Sequence, residues 1–169
     1  MMPPWNDRPT EVANLFNPAF FGVLLRKAIE GYTEEAKAGM PFELLFLVPP
    51  FCLHPATANR LPRSPSATPL HVWLQREKNR DVLVSFAQRA TAIVPFVREA
   101  LLFCCERQVV SIGEDGRLIA GIAPLRGITT FRTVGDEVKE AIRLSELVGR
   151  WFALAGTTAT VFTLLGVRP

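Results

Sequence analysis

A chain of 169 residues, 49% of them hydrophobic, can bury a substantial core, and one globular domain with helical extensions is the expected size class. The formal charge of +3 is modest and the acidic residues are interspersed among the basic ones, so no tail or block exists to grip nucleic acid or an acidic membrane by charge alone. The N-terminal MMPPWNDRP lacks the basic, apolar and small-residue regions of a secretory signal, which makes the cytoplasm the expected compartment.

In chain order, Asn17 and Pro18 form an N-cap and first-position pair for a helix that Gly39 is expected to end. Phe21, Leu24, Leu25, Ala28, Ile29, Tyr32 and Ala36 share one face of it, while Arg26, Lys27, Glu30 and Glu34 form an ordinary solvated face. The stretch FELLFLVPPFCL that follows is apolar but too short for a bilayer, has the acidic Glu43 at its second position and carries a double proline. Two missing N–H groups would break a central strand, so a helix from about Pro41 that bends or ends near Pro49 is expected. The Pro- and Ser-rich ANRLPRSPSATP is a mobile loop leading to a short helix, LHVWLQREK.

Asp81 to Glu106 is helical in pattern, and Pro95 predicts a break into two helices joined by a tight turn. QVVSIGEDGRLIAG then places two β-rich runs around an Asp-Gly turn signal, which is a hairpin. After the loop APLRGITTFRT, Asp136 to Ala155 is a helix with two apolar sides. Val138, Ala141, Ile142, Val148 and Phe152 lie on one; Leu144, Leu147, Trp151 and Leu154 lie nearly opposite. Such a helix is either central to a core or docks a partner. The stretch WFALAGTTATVFTLLGV is interrupted by Gly156 and four threonines, which argues against a membrane anchor.

The expected fold is mainly α with a small β-hairpin (α+β): a winged helix-turn-helix-like core over 41–123, a helical extension over 1–40 and a helical segment over 124–169, all in one domain. A winged helix raises the alternative of a DNA-binding transcriptional regulator. Against it, the segment before the wing, PFVREALLFCCER, offers two arginines offset by two glutamates, and Glu114 and Asp115 at the wing tip would repel phosphates. Arg60, Arg63, Arg76, Lys78 and Arg80 form the one basic group, more consistent with a solvated surface than with a phosphate-binding one.

Chemistry-bearing patterns are absent from the sequence: no phosphate-cradling Gly-Lys-Ser/Thr loop, no Gly-x-Ser-x-Gly elbow, no dinucleotide fingerprint and no His-Glu-x-x-His. Cys52, Cys104 and Cys105 lack zinc-binding spacing and sit in apolar runs as reduced core thiols, and His54 and His71 have no ligand partners at helical spacing. Asp136 and Glu137 complement a helix dipole. Neither catalysis, nor a metal, nor a cofactor is expected.

The phrases EVANLFNPAF, PFELLFLVPPFCLH with RLP, HVWL, FAQRA with VPFVREALLF, and GRWFALAG with TVFTLLGVRP resemble the middle-component proteins of bacterial three-component ABC systems. The resemblance runs over nearly the whole chain. It implies a non-enzymatic adaptor, winged-helix in character, acting between an SMC- or Rad50-like ABC ATPase and an effector in antiphage defence, with DNA contact at most indirect and no membrane. If one side of the Asp136 helix packs into its own domain, Leu144, Leu147, Trp151 and Leu154 remain for the ATPase or for a second copy in a homodimer, with Trp151 as anchor. The competing expectation is that both sides are buried in one monomer.

Overall fold

The computed structural model describes residues 7–125 and 135–168. Most of the expected loop APLRGITTFRT, residues 126–133, lies outside the described residues. A short helix α1 (Thr10–Leu15) leads into α2 (Pro18–Ala36), whose start follows the sequence logic: the Asn17 side chain accepts the Ala19 N–H at 2.8 Å, and Pro18 occupies the first turn. The helix stops earlier than Gly39 suggested. Lys37 adopts the left-handed conformation at φ 55° and closes it, while Gly39 is buried against the hairpin.

The double proline does not end a helix; it starts one. Phe42–Leu47 is wound as a 3-10 helix, and the winding changes to α at Val48–Cys52 (α3). Pro49 and Pro50 fall in the first turn of α3, where no intrahelical N–H is required. All five residues of α3 are buried. Phe51 sits among four rings: Phe86, Trp151, Phe152 and Trp73, at centroid distances of 4.8, 5.8, 5.9 and 6.2 Å. These tilted and edge-on arrangements suit the ring quadrupoles.

Beyond α4 (Pro55–Ala58) the chain forms a loop, then α5 (Leu70–Gln75) and a second 3-10 helix, Glu77–Ser85. The short helix expected over LHVWLQREK therefore ends at Gln75. Next comes α6 (Phe86–Glu106), a single helix that contains Pro95. The expected break is absent, and with it the tight turn that would have made a helix-turn-helix at this place. Pro95 and Thr91, whose carbonyl loses its helical donor, are both exposed, so water can satisfy the orphaned oxygen.

The hairpin forms as expected from β1 (Val110–Ile112) and β2 (Leu118–Ala120), antiparallel, with Ser111 opposite Ile119. It is tied to α2 and to the segment just after it. Met40 and Leu118 exchange backbone hydrogen bonds of 2.8 and 2.9 Å, and the Arg26 guanidinium donates to the carbonyls of Val109 and Gly121.

The chain closes with α7 (Asp136–Leu154) and α8 (Thr158–Leu165), the latter N-capped by Thr157. The α2–α7 pair is the spine of the molecule. At their crossing the helix backbones touch, because Gly31 faces the Glu146 carbonyl and Gly149 faces the Ala28 carbonyl. One hydrophobic core draws on α2, α3, α5, α6, the hairpin, α7 and α8, so the N-terminal, middle and C-terminal segments share an interior. No single helix among the described residues is long and apolar enough to cross a membrane, and α7 and α8 meet at a bend of 111°.

Candidate interaction surface

The second apolar side of α7 is mostly inside the chain. Leu144, Leu147 and Trp151 are 2%, 6% and 0% exposed, and of the four residues expected to face a partner only Leu154, at 43%, reaches the surface. This corrects the division of α7 into a core face and a docking face. The cover comes from the middle segment: Trp151 lies edge-on to Trp73 at 5.2 Å, and its Nε1–H donates to the Thr68 carbonyl at 2.8 Å. The Trp73 Nε1–H donates likewise to the Arg60 carbonyl, also at 2.8 Å. Two indoles thus pin both ends of the loop that the sequence marked as mobile. Trp151 is an anchor, but for its own chain.

The basic residues of that loop and the following helices are spread over the surface. The Arg60 guanidinium donates to the Lys78 carbonyl at 2.6 Å and pairs with Asp81, whose carboxyl it holds below the usual carboxylate range. Arg63, Arg76, Lys78 and Arg80 are exposed, but Glu77 and Asp81 are exposed among them, and Asn79 turns inward with its side-chain amide donating to the Trp73 carbonyl at 2.8 Å. The result is a mixed-sign surface with a slight basic excess.

Groups capable of chemistry are isolated or buried. Burial raises the Cys52 thiol far above its ordinary value and the Cys104 thiol to about 11; Cys105 is raised by the same cause. Among the described residues no cluster of three His, Cys, Asp or Glu side chains is placed to hold a metal ion. His54 stands before α4 with its Nδ1 2.9 Å from the Thr57 hydroxyl.

What the surface does offer is apolar. Ile112 and Ile122, at and after the hairpin, are 65% and 84% exposed, with Ile119 partly exposed between them, and Leu102 projects from α6. Sequence reasoning missed these residues: only Ile119 lies on the outward face of the hairpin, while Ile112 shares the face of buried Val110 and Leu118 and is exposed at the turn end of its strand. The turn between the strands stays acidic, with Asp115 accepting the Arg117 N–H at 3.0 Å.

A second apolar region is a groove between the α1–α2 junction, α3 and α6, walled by Phe16, Phe20, Leu53, Ile93 and the double proline, with His54 and Arg89 as its polar residues. No curated protein and no solved structure matches this chain. The family comparison, by contrast, spans almost all of it: the model of the ABC-three component system Middle Component 3 family matches residues 5–169, and the chain belongs to that family.

Proposed function

We propose that this middle component is a non-catalytic adaptor, linking an SMC- or Rad50-like ABC ATPase to an effector in a cytoplasmic antiphage defence system. The family match over residues 5–169 carries the reading. Two features of the molecule support it. The titratable groups are dispersed over a mixed-charge surface or buried as inert thiols, while apolar side chains such as Ile112, Ile122 and Leu102 stand in water, as interaction surfaces require. The hairpin is the element of the expected winged core that such a partner would meet first, since its acidic turn disfavours phosphate.

Co-expression of the full chain with the ATPase and effector encoded beside it tests the adaptor reading. Capture of both proteins through a tag on the middle component is the expected result. An ATPase and effector that associate equally well without this chain would overturn it.

A further inference from the structure

We infer that the groove between the α1–α2 junction, α3 and α6 is a docking site for an apolar segment of a partner protein that carries a carboxylate. The inference deepens the adaptor reading and rests on it for the identity of the partner. The groove holds about 370 Å³, and one of its walls is backed by a second ring, because Phe16 stacks on Phe96 at 4.0 Å. Its floor is proline, phenylalanine, leucine and isoleucine. A cavity of that kind takes apolar side chains without reorganisation.

The charge at its end selects what accompanies them. The Arg89 guanidinium donates to three neutral oxygens: the Val82 carbonyl at 2.9 Å, the Thr57 hydroxyl at 3.2 Å and the Ser85 carbonyl at 3.4 Å. A guanidinium carries five N–H donors, so two meet no oxygen of the described residues, although its carbon lies 5.6 Å from the centroid of the Phe86 ring. Arg89 forms no ion pair with a carboxylate among the described residues, unlike Arg8, Arg26, Arg60 and Arg150. It is nevertheless half-buried, and burial lowers its pKa; His54 beside it is lowered by burial and by the charges of Arg89 and Arg60. The end of the groove is therefore electropositive and short of acceptors.

A neutral apolar occupant would strip water from the two idle donors and give nothing back, and a basic occupant would be repelled. A free phosphate would satisfy the donors but leave the apolar wall bare. An apolar segment with an Asp, Glu or C-terminal carboxylate satisfies both, through a charge-assisted, fork-shaped contact.

Ala92 provides the test, because it lines the groove yet is exposed, so replacing it disturbs no packing. The probes are octanoate and octanol, titrated into isotopically labelled full-length chain and followed by amide shifts of Leu53 and Ile93. Octanoate should bind about tenfold more tightly than octanol, as expected of a charge-assisted contact. Ala92→Glu should abolish the difference and Ala92→Lys should keep it, each variant melting as the wild type does. Equal response to both probes, or none, overturns the inference. In co-expression, Ala92→Glu should lose capture of the partner that Ala92→Lys retains. Capture by both variants at wild-type level removes the groove from docking and leaves the adaptor reading standing; no capture by the wild type overturns the adaptor reading and the partner assignment together. Overhauser contacts between Trp5 and Ile93 would make the chain's own N-terminus the occupant, and shifts at the groove on dilution would make it a second copy, either of which also overturns the assignment.

Discussion

Gly149 of α7 stands against the Ala28 carbonyl of α2, with no room between them for a side-chain carbon. Gly31 of α2 makes the reciprocal approach to the Glu146 carbonyl. The pair lets two 19-residue helices meet backbone to backbone, where Cα–H groups oppose carbonyl oxygens. Gly149→Ala or Gly31→Ala would force the helices apart along their largest contact, and each should cost at least about 1–3 kcal/mol, the range for overpacking a close-packed interior. Gly135→Ser, in open space at the N-cap of α7, is the control and should be neutral or slightly stabilising. Urea denaturation of the three variants measures the difference.

The burial of Trp151 and Leu147 converts a docking test into a folding test. Leu147→Ser combined with Trp151→Ser removes two core side chains and the hydrogen bond to Thr68. Large-to-small replacement of a buried Trp alone costs about 3–5 kcal/mol, so the double variant should lose its cooperative melting transition. Leu154→Ser, at an exposed position on the same helix, should melt normally. The milder Trp151→Phe keeps most of the ring but not the donor, and its signature should be faster hydrogen exchange across residues 59–69, where Thr68 is held.

Much of this architecture was legible in the sequence because local rules decided it. Asn17-Pro18 placed the start of α2, and Asp115-Gly116 placed the hairpin turn. What was not legible depended on partners distant along the chain. Periodicity showed that α7 had two apolar sides, but not that the Pro- and Ser-rich loop would be drawn over one of them by two indole N–H groups. Gly31 and Gly149 look like helix-weakening residues until the crossing is seen. In the groove, Arg89 is one arginine among many in the sequence; only the fold shows that it stands at the end of an apolar groove.

Pro95 lies inside α6, leaving one helical hydrogen bond unmade on the solvent side. Replacing it with alanine restores that bond and removes the ring clash, worth about 3 kcal/mol in a helix interior. The existing helix already accommodates the ring, and alanine loosens the unfolded chain by about 0.4–1 kcal/mol, so the net gain should be smaller. Pro95→Ala is thus expected to raise the melting temperature. A drop would mean that the helix geometry set by the proline is required by the packing of α6 against α2.

His54 gives the stability a pH dependence of definite sign. Its folded-state pKa is lowered, chiefly by burial and then by Arg89 and Arg60. The unfolded chain therefore binds a proton more readily than the folded one, and stability should be fully present above the ordinary histidine pKa of about 6.5 and fall as pH drops through the lowered value. Denaturation midpoints between pH 7.5 and 5 should show this fall in the wild type and a reduced one in His54→Gln. An unaltered pH dependence in the variant would assign the effect to other groups.

The surface charge limits how this chain can bind DNA. Arg63, Arg76, Lys78 and Arg80 are free to meet phosphates, whereas Arg60 is already paired with Asp81. Glu77 and Asp81 share that surface, and the hairpin turn carries Glu114 and Asp115, so a duplex lying across both would meet carboxylates at each end. The helix before the hairpin presents Arg98 and Arg107 beside exposed Leu102 and Glu106, which is no base-reading set. Only about four phosphates can be neutralised, which predicts a shallow salt dependence, with a log–log slope no steeper than about −4, and binding in the range of non-specific contacts, about 10⁻⁴–10⁻⁶ M at physiological salt. Fluorescence anisotropy with a labelled duplex over a salt series measures both quantities. Replacing Arg76, Lys78 and Arg80 by glutamine should flatten the slope by about three while leaving partner capture intact, because each removed cation deletes one released counterion. A nanomolar affinity with a steep slope would instead require a DNA-reading surface that these residues do not form.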